Sequence, residues 1–227
     1  VRRVLVDVDT QIDFVDPAGA LFVEAAPGVR DAIAAHLRAA VAEGVPILGS
    51  VDSHAYDAWE FAGNGGPFPP HCVKGTAGWL RVFEAQPDRA RFVPMQALHH
   101  EGLRNLVGEA VAGQGPRCQD AEALAAEAAA GVGLYFEKEV YSLLSNPAAA
   151  PVIDALVARL GGPEAVVFDV MGYCTGGYCV DAAARGLAER GLNVRVLADA
   201  TAAIGGDAGQ ARSRADLSAA GIVWVAP

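Results

Sequence analysis

The sequence has no run of about 18 uncharged apolar residues, the length a membrane-crossing helix requires, although 52% of it is hydrophobic and its mean hydropathy is +0.26. No membrane association is therefore expected. It also has no cluster of lysines or arginines. Its 17 basic residues face 27 acidic ones, giving a formal charge of −10 and a pI of about 4.9. A nucleic-acid partner needs a basic stripe, so none is expected either. The four cysteines, at 72, 118, 174 and 179, form no C-x-x-C pair and no zinc-finger spacing. Reduced thiols in a cytoplasm are the simplest reading of that pattern. The stretch "GNGGP" is not a dinucleotide fingerprint, because Pro67 follows and no helix opens there. His99-His100-Glu101 lacks the second histidine of a zincin and reads as an exposed helix start. Internal repeats and linkers are missing too, so residues 1–227 read as one domain, large enough for a substantial core. The first residues run straight into a strand-like segment rather than a charged region followed by an apolar one, so no export signal is expected.

What is present is an alternation of short apolar runs with helical periodicity. Strands are predicted at Val4 to Val8, Val45 to Ser50, Arg91 to Val93, Leu134 to Phe136, Ala165 to Val170, Asn193 to Ala198 and Ile222 to Val225. Between them lie predicted helices. In the first, over Val29 to Glu43, Val29, Ile33, Leu37 and Val41 recur every fourth position and Gly44 is the stop; His36 lies on it as a boundary residue. Others are predicted over 100–112, 120–130, Pro151 to Leu160, Cys179 to Arg190 and about 210–220, with a long Gly/Pro-rich loop over 60–80. Strands alternating with helices imply a parallel sheet covered on both faces. Its buried strands account for the apolar composition. Ligands of such sheets bind beyond the carboxyl ends of the strands. Asp9, Asp52, Lys138 and Cys179 all fall near the ends of different predicted strands, so the topology alone would gather them.

Those residues carry complementary chemistry. Only a thiolate is a good nucleophile. Cys179 is predicted in the first turn of a helix, where unsatisfied N–H groups favour negative charge, and a nearby Lys138 would act in the same direction. Asp9 could take the thiol proton and later give it to a leaving amine. Cys174, placed in the turn five positions earlier, is the rival nucleophile. Singly, each residue also fits a packing, capping or solvated role. A second set comprises Asp52, His54 and His71: one carboxylate and two imidazoles suit Zn²⁺, Fe²⁺ or Mn²⁺. Asp-x-His by itself equally fits a histidine that caps a turn.

The segments "VDVDTQIDF", "KEVYS" and "GYCTGGYCVDAAARGL…VRVLADAT" resemble, in order and over nearly the whole chain, the three signature segments of the isochorismatase-like cysteine hydrolases. By match, the resemblance makes Asp9, Lys138 and Cys179 the catalytic triad. It implies a three-layer α/β/α fold around a mostly parallel sheet of about six strands, often assembled as dimers or tetramers. "DSH" with "FPPHCVKGTAG" resembles the metal-binding segments of the nicotinamidase branch, which makes Asp52, His54 and His71 the ligands. Glu60 is the one glutamate available to add to them; its spacing matches poorly, and waters are the expected completion. Phe14, Leu21, Phe68 and Tyr178 match substrate-pocket positions. The implied activity is hydrolysis of a small aromatic carboxamide, nicotinamide to nicotinate and ammonia, with a divalent transition metal as cofactor. One departure stands out. Gly172 and Cys179 are seven apart, one residue more than the amidase pattern G-x-x-T-x-x-C. This leaves the N–H of Cys179 as the safer oxyanion donor. That spacing and the 95–133 region keep open a hydrolase of another amide or carbamoyl compound, and a non-catalytic binding relative is the alternative of a different class.

Overall fold

The computed structural model describes residues 1–82, 84, 87–95 and 120–226; the predicted helix over 100–112, His99-His100-Glu101 and Cys118 lie outside them. The strands are β1 (Arg2–Val8), β2 (Ile47–Asp52), β3 (Ala90–Val93), β4 (Gly133–Lys138), β5 (Val166–Thr175), β6 (Asn193–Ala203) and β7 (Val223–Val225). They form one sheet in the order β3-β4-β2-β1-β5-β6-β7, every neighbouring pair parallel. This is a seven-stranded sheet, one strand more than the resemblance implied. The helices are α1 (Ile12–Val15), α2 (Ala26–Glu43), α3 (Ala121–Ala129), α4 (Ala149–Arg159), α5 (Cys179–Glu189) and α6 (Gly206–Ala219). No helix among the described residues is long and apolar enough to cross a membrane.

The central strands are apolar on both faces because helices cover both. β2 and β4 are buried at every position. On one side Val4, Val6, Leu48, Leu134 and Phe168 pack with Leu124 of α3, Leu156 of α4, Val180, Ala184 and Leu187 of α5 and Leu217 of α6. On the other, Leu5, Ile47, Val51 and Tyr135 pack with Ile33, Leu37 and Ala40 of α2 and with Phe14 and Cys72. The buried face of α2 differs from the fourth-position repeat. At 3.6 residues per turn that repeat drifts about 40° per step, so Val41 emerges 44% exposed and Ala40 takes its place. Gly44 ends the helix in the left-handed conformation (φ 66°). His36, on the flank of α2, pairs with Asp199 of β6 at 3.0 Å.

Shifts of strand ends bear on the site, and β4 too runs two residues past its predicted end, to Lys138. β2 starts and ends two residues later than predicted, because Val45 N–H is bonded back to Ala40 at the helix end. Asp52 is therefore the last residue of β2 rather than a loop residue. β5 and β6 each continue five residues past their predicted ends, to Thr175 and Ala203, with register shifts after Val170 and after Tyr173. Cys174 is thus a strand residue and not in the turn, and the Tyr173–Cys174 peptide is cis. Gly172 is obligatory here: its φ is 115°, and a Cβ would lie 2.0 Å from the Val8 carbonyl oxygen.

Candidate active site

The four central strands, in the spatial order β4-β2-β1-β5, deliver Lys138, Asp52, Asp9 and Cys179 to one edge of the sheet. Lys138 and Asp52 are final strand residues and pair across β4 and β2. Asp9 follows β1 directly, turned inward by a positive φ of 49°. Cys179 opens α5 just beyond β5. The Lys138 ammonium is the hub. It lies 2.8 Å from Asp9 Oδ2 and 3.4 Å from Cys179 Sγ, and it forms a very short ion pair with Asp52. Ser50, two residues before Asp52, donates to Asp9 Oδ1 at 2.7 Å. Carboxylate oxygens of Asp9 and Asp52 and the Cys179 sulfur all lie within 4.8 Å of one another. Asp9 and Lys138 are wholly buried, Asp52 is 5% exposed and Cys179 7%. Cys174 is buried nearby, but the hydrogen bond from Lys138 goes to Cys179.

Burial pushes the Asp9 carboxyl up to about 6, with Lys138 opposing and Asp52 reinforcing the rise. Burial acts to lower Lys138, but Asp52 and Asp9 outweigh it and hold the ammonium charged far beyond neutrality. Burial also raises the Cys179 thiol well above its ordinary value. Lys138 counters this, and the two carboxylates add to it. The expected thiolate stabilisation by Lys138 is present, but desolvation and the carboxylates dominate. The resting pair is thus a thiol beside a carboxylate, with the buried Lys138 ammonium 3.4 Å from the sulfur.

Next to Asp52 lies the second cluster. The loop after β2 runs parallel to residues 71–74: His54 N–H donates to Cys72 and Lys74 N–H to His54. Nε2 or Nδ1 atoms of His54 and His71 and a carboxylate oxygen of Asp52 lie within 4.8 Å of one another, all buried. Glu60 joins them, contrary to the expectation from its spacing. Its Oε1 is 2.7 Å from His54 Nε2 and 3.4 Å from His71 Nε2. Loop path, not sequence distance, brings it there. Phe68 N–H donates to the Glu60 carbonyl and Ala62 N–H to the Phe68 carbonyl, closing residues 60–68 into a compact turn.

This donor set fits a divalent transition metal. The ring nitrogens of His54 are buried without a hydrogen-bond partner of acceptable geometry, a costly arrangement unless something else engages them. The Nδ1 of His71 is bonded to the Pro69 carbonyl at 2.9 Å, which leaves Nε2 facing the cluster as a ligand atom. Burial acts to lower His54, yet contact with Glu60 and the charge of Asp52 raise it, so this spot favours positive charge. Two imidazoles and two carboxylates are ligands for Zn²⁺, Fe²⁺ or Mn²⁺.

All four expected pocket residues, Phe14, Leu21, Phe68 and Tyr178, line a cavity of about 20 Å³ that also touches Asp52, Glu60, His71 and Cys179. It has room for about one water, so a ring-bearing ligand requires the half-buried Leu21, Phe68 and Tyr178 to shift. Tyr141, Cys174 and Ile204 complete the wall. Sequence reasoning did not single out Tyr141 or Ile204, although Tyr141 lies in the second signature segment and Ile204 three residues beyond the last. The Phe68 ring meets His71 and Tyr178 edge-on at 5.9 and 6.0 Å. In the longer turn before Cys179 one backbone amide is accounted for. Gly176 N–H donates to Ser213 Oγ at 2.5 Å, and Ser213 in turn donates to Asp181. The Gly176 amide is therefore committed to α6 and is not free to serve an oxyanion.

No protein-family model and no curated protein matches the chain. Solved structures do. A pyrazinamidase of Pyrococcus horikoshii in complex with zinc matches with a TM-score of 0.67 at 21% identity, over 100% of both chains. A nicotinamidase from Bacillus subtilis matches with 0.66 at 19%, over 99% of both. An N-carbamoylsarcosine amidase from Thermoplasma acidophilum matches with 0.64 at 18%, over 99% of this chain and 95% of that one. The fold is therefore the isochorismatase-like α/β fold that the resemblance implied.

Proposed function

We propose that this protein is a metal-containing cysteine amidohydrolase of the nicotinamidase branch that converts nicotinamide to nicotinate and ammonia. The observation that carries this reading is the convergence of Asp9 and Cys179 on the single buried ammonium of Lys138, 2.8 and 3.4 Å away. In this reading Asp9 accepts the Cys179 proton as sulfur attacks the amide carbon. The Cys179 N–H, at the first turn of α5, donates to the developing oxyanion. The tetrahedral adduct collapses, the C–N bond breaks, and the proton held by Asp9 goes to the departing ammonia. Water then adds to the thioester, again giving a proton to Asp9, and the acid leaves as the thiol is restored. Lys138 stays charged throughout, holding Asp9 in place and offsetting charge on sulfur.

Asp52, His54, Glu60 and His71 would hold the metal ion, which when bound would supply a Lewis-acidic point for the pyridine nitrogen beside Cys179. Phe14, Leu21, Phe68 and Tyr178 would clasp the ring. A cytoplasmic homodimer or homotetramer belongs to the same reading. The test is ammonia release from nicotinamide by purified protein, with metal analysis of the same sample. Turnover with about one metal ion per chain is expected; no release and no metal would remove this reading. The seven-residue Gly172–Cys179 spacing and the likeness to a carbamoylsarcosine amidase favour a second reading, a hydrolase of another small amide or carbamoyl compound. A panel of such amides separates the two.

A further inference from the structure

The segment Asp9-Thr10-Gln11-Ile12-Asp13 sends three polar side chains, two residues apart, to three different parts of the site. Asp9 reaches Lys138. Gln11 reaches Asp52. Asp13 reaches the backbone beside His71. The second and third have no role in the chemistry proposed above.

The ladder between β1 and β2 ends at Val8 opposite Ser50, and Asp9 N–H makes its last backbone bond to the Ser50 carbonyl at 3.0 Å. The β1 chain then turns away, yet Asp52, the next residue on β2 in step with Ser50, still has a buried N–H and C=O to satisfy. The Gln11 side-chain amide does so. Its Oε1 accepts from Asp52 N–H at 2.8 Å and its Nε2 donates to Asp52 C=O at 2.9 Å. Nε2 also donates to the Trp79 carbonyl at 2.8 Å, and Gln11 is fully buried. A side chain thus replaces the missing rung of the sheet and fixes the backbone that carries a metal-ligand carboxylate.

Asp13 does the corresponding work on the facing loop. Its Oδ2 accepts from Cys72 N–H at 2.7 Å and its Oδ1 from Ala20 N–H at 2.9 Å. Cys72 follows His71 directly and has a positive φ of 44°, a conformation a non-glycine residue keeps only when its surroundings hold it. The carboxylate is wedged against Gly78 so closely that a Cβ there would lie 2.1 Å from it. Asp13 therefore has little freedom to move, and through Cys72 neither does His71.

We propose that Gln11 and Asp13 are positioning residues that set how tightly the Asp52/His54/Glu60/His71 cluster holds its metal ion. This rests on the metal site proposed above. Partners that orient ligands affect metal affinity by about 10- to 100-fold, so a loss of that size is expected in Gln11→Met and in Asp13→Leu, two changes of similar shape that remove these bonds. The experiment measures the Zn²⁺ dissociation constant of stripped wild type and of each variant by competition with a chromophoric chelator. The unfolding midpoint of each metal-free protein is measured alongside. Weaker Zn²⁺ binding, by about tenfold or more, in variants that unfold at the same midpoint as metal-free wild type supports the proposal. Wild-type affinity in both variants overturns it while leaving the metal site intact. Absence of Zn²⁺ binding by wild type overturns the metal site itself. Failure of both variants to fold makes the two residues structural and also overturns the proposal.

Discussion

Replacing Lys138 by methionine strands two buried carboxylates. The ammonium lies 2.8 Å from Asp9 and closer still to Asp52. At an effective dielectric of about 20, the Asp9 pair alone is worth about 6 kcal/mol of Coulomb attraction. Much of that is cancelled by desolvation of a fully buried cation, so the measured cost should be the about 3–5 kcal/mol typical of removing one partner of a buried pair. For a chain of this size that is a fall of about 6–20 °C in melting temperature. The loss should also depend on pH. Asp9 already titrates at about 6 in the folded protein, against 3.8 for an unperturbed aspartate, and Lys138 is a force that lowers it. Without Lys138 the folded value rises further. A group whose folded pKa lies above its unfolded one contributes stability at low pH that disappears as pH climbs through the folded value. The variant should therefore be much less impaired at pH 4.5, where Asp9 is neutral, than at pH 8. Urea unfolding of metal-free wild type and variant at those two pH values measures both differences. An equal penalty at both, or one below about 1 kcal/mol, would refute the placement of Lys138 as the counter-ion.

Three further outcomes are expected. Cys179→Ala should fold normally and release no ammonia from nicotinamide; undiminished release by that variant reassigns the nucleophile. If Asp9 is the base, kcat/KM should fall as pH drops through about 6, because the protonated carboxyl cannot accept the thiol proton; a profile flat to pH 5 contradicts that role. His54→Ala, or chelation of the native protein, should raise KM more than it lowers kcat, and steady-state kinetics with unchanged KM would detach the cluster from substrate binding.

Much of this was legible in the sequence for simple reasons. β1 contains the run Val4-Leu5-Val6, which puts apolar side chains on both faces as a doubly covered strand requires, and the start of α5 at Cys179 follows from Val180, Ala184 and Leu187 falling on one face. Asp9, Lys138 and Cys179 could be placed together because each adjoins such a strand end. What was not legible depends on packing between distant segments. β5 and β6 extend through Met171-Gly172-Tyr173 and Thr201-Ala202-Ala203, residues without a strong strand signature, because each extension supplies the other's pairing partners. Glu60 reaches the histidines through the turn closed by Phe68, a path that residue spacing does not encode. Gln11 was visible as part of a signature segment, but its part as a surrogate rung depends on where β2 ends.

The four strands that carry the reactive groups are neighbours in space and far apart along the chain. β1 is paired on one side by β2 and on the other by β5. During synthesis the first strand can meet β2 early, but its β5 edge stays unpaired until most of the polypeptide has left the ribosome. Long-range pairing of this kind is slow, and on the proposed reading a chain cut anywhere before residue 179 lacks the attacking thiol.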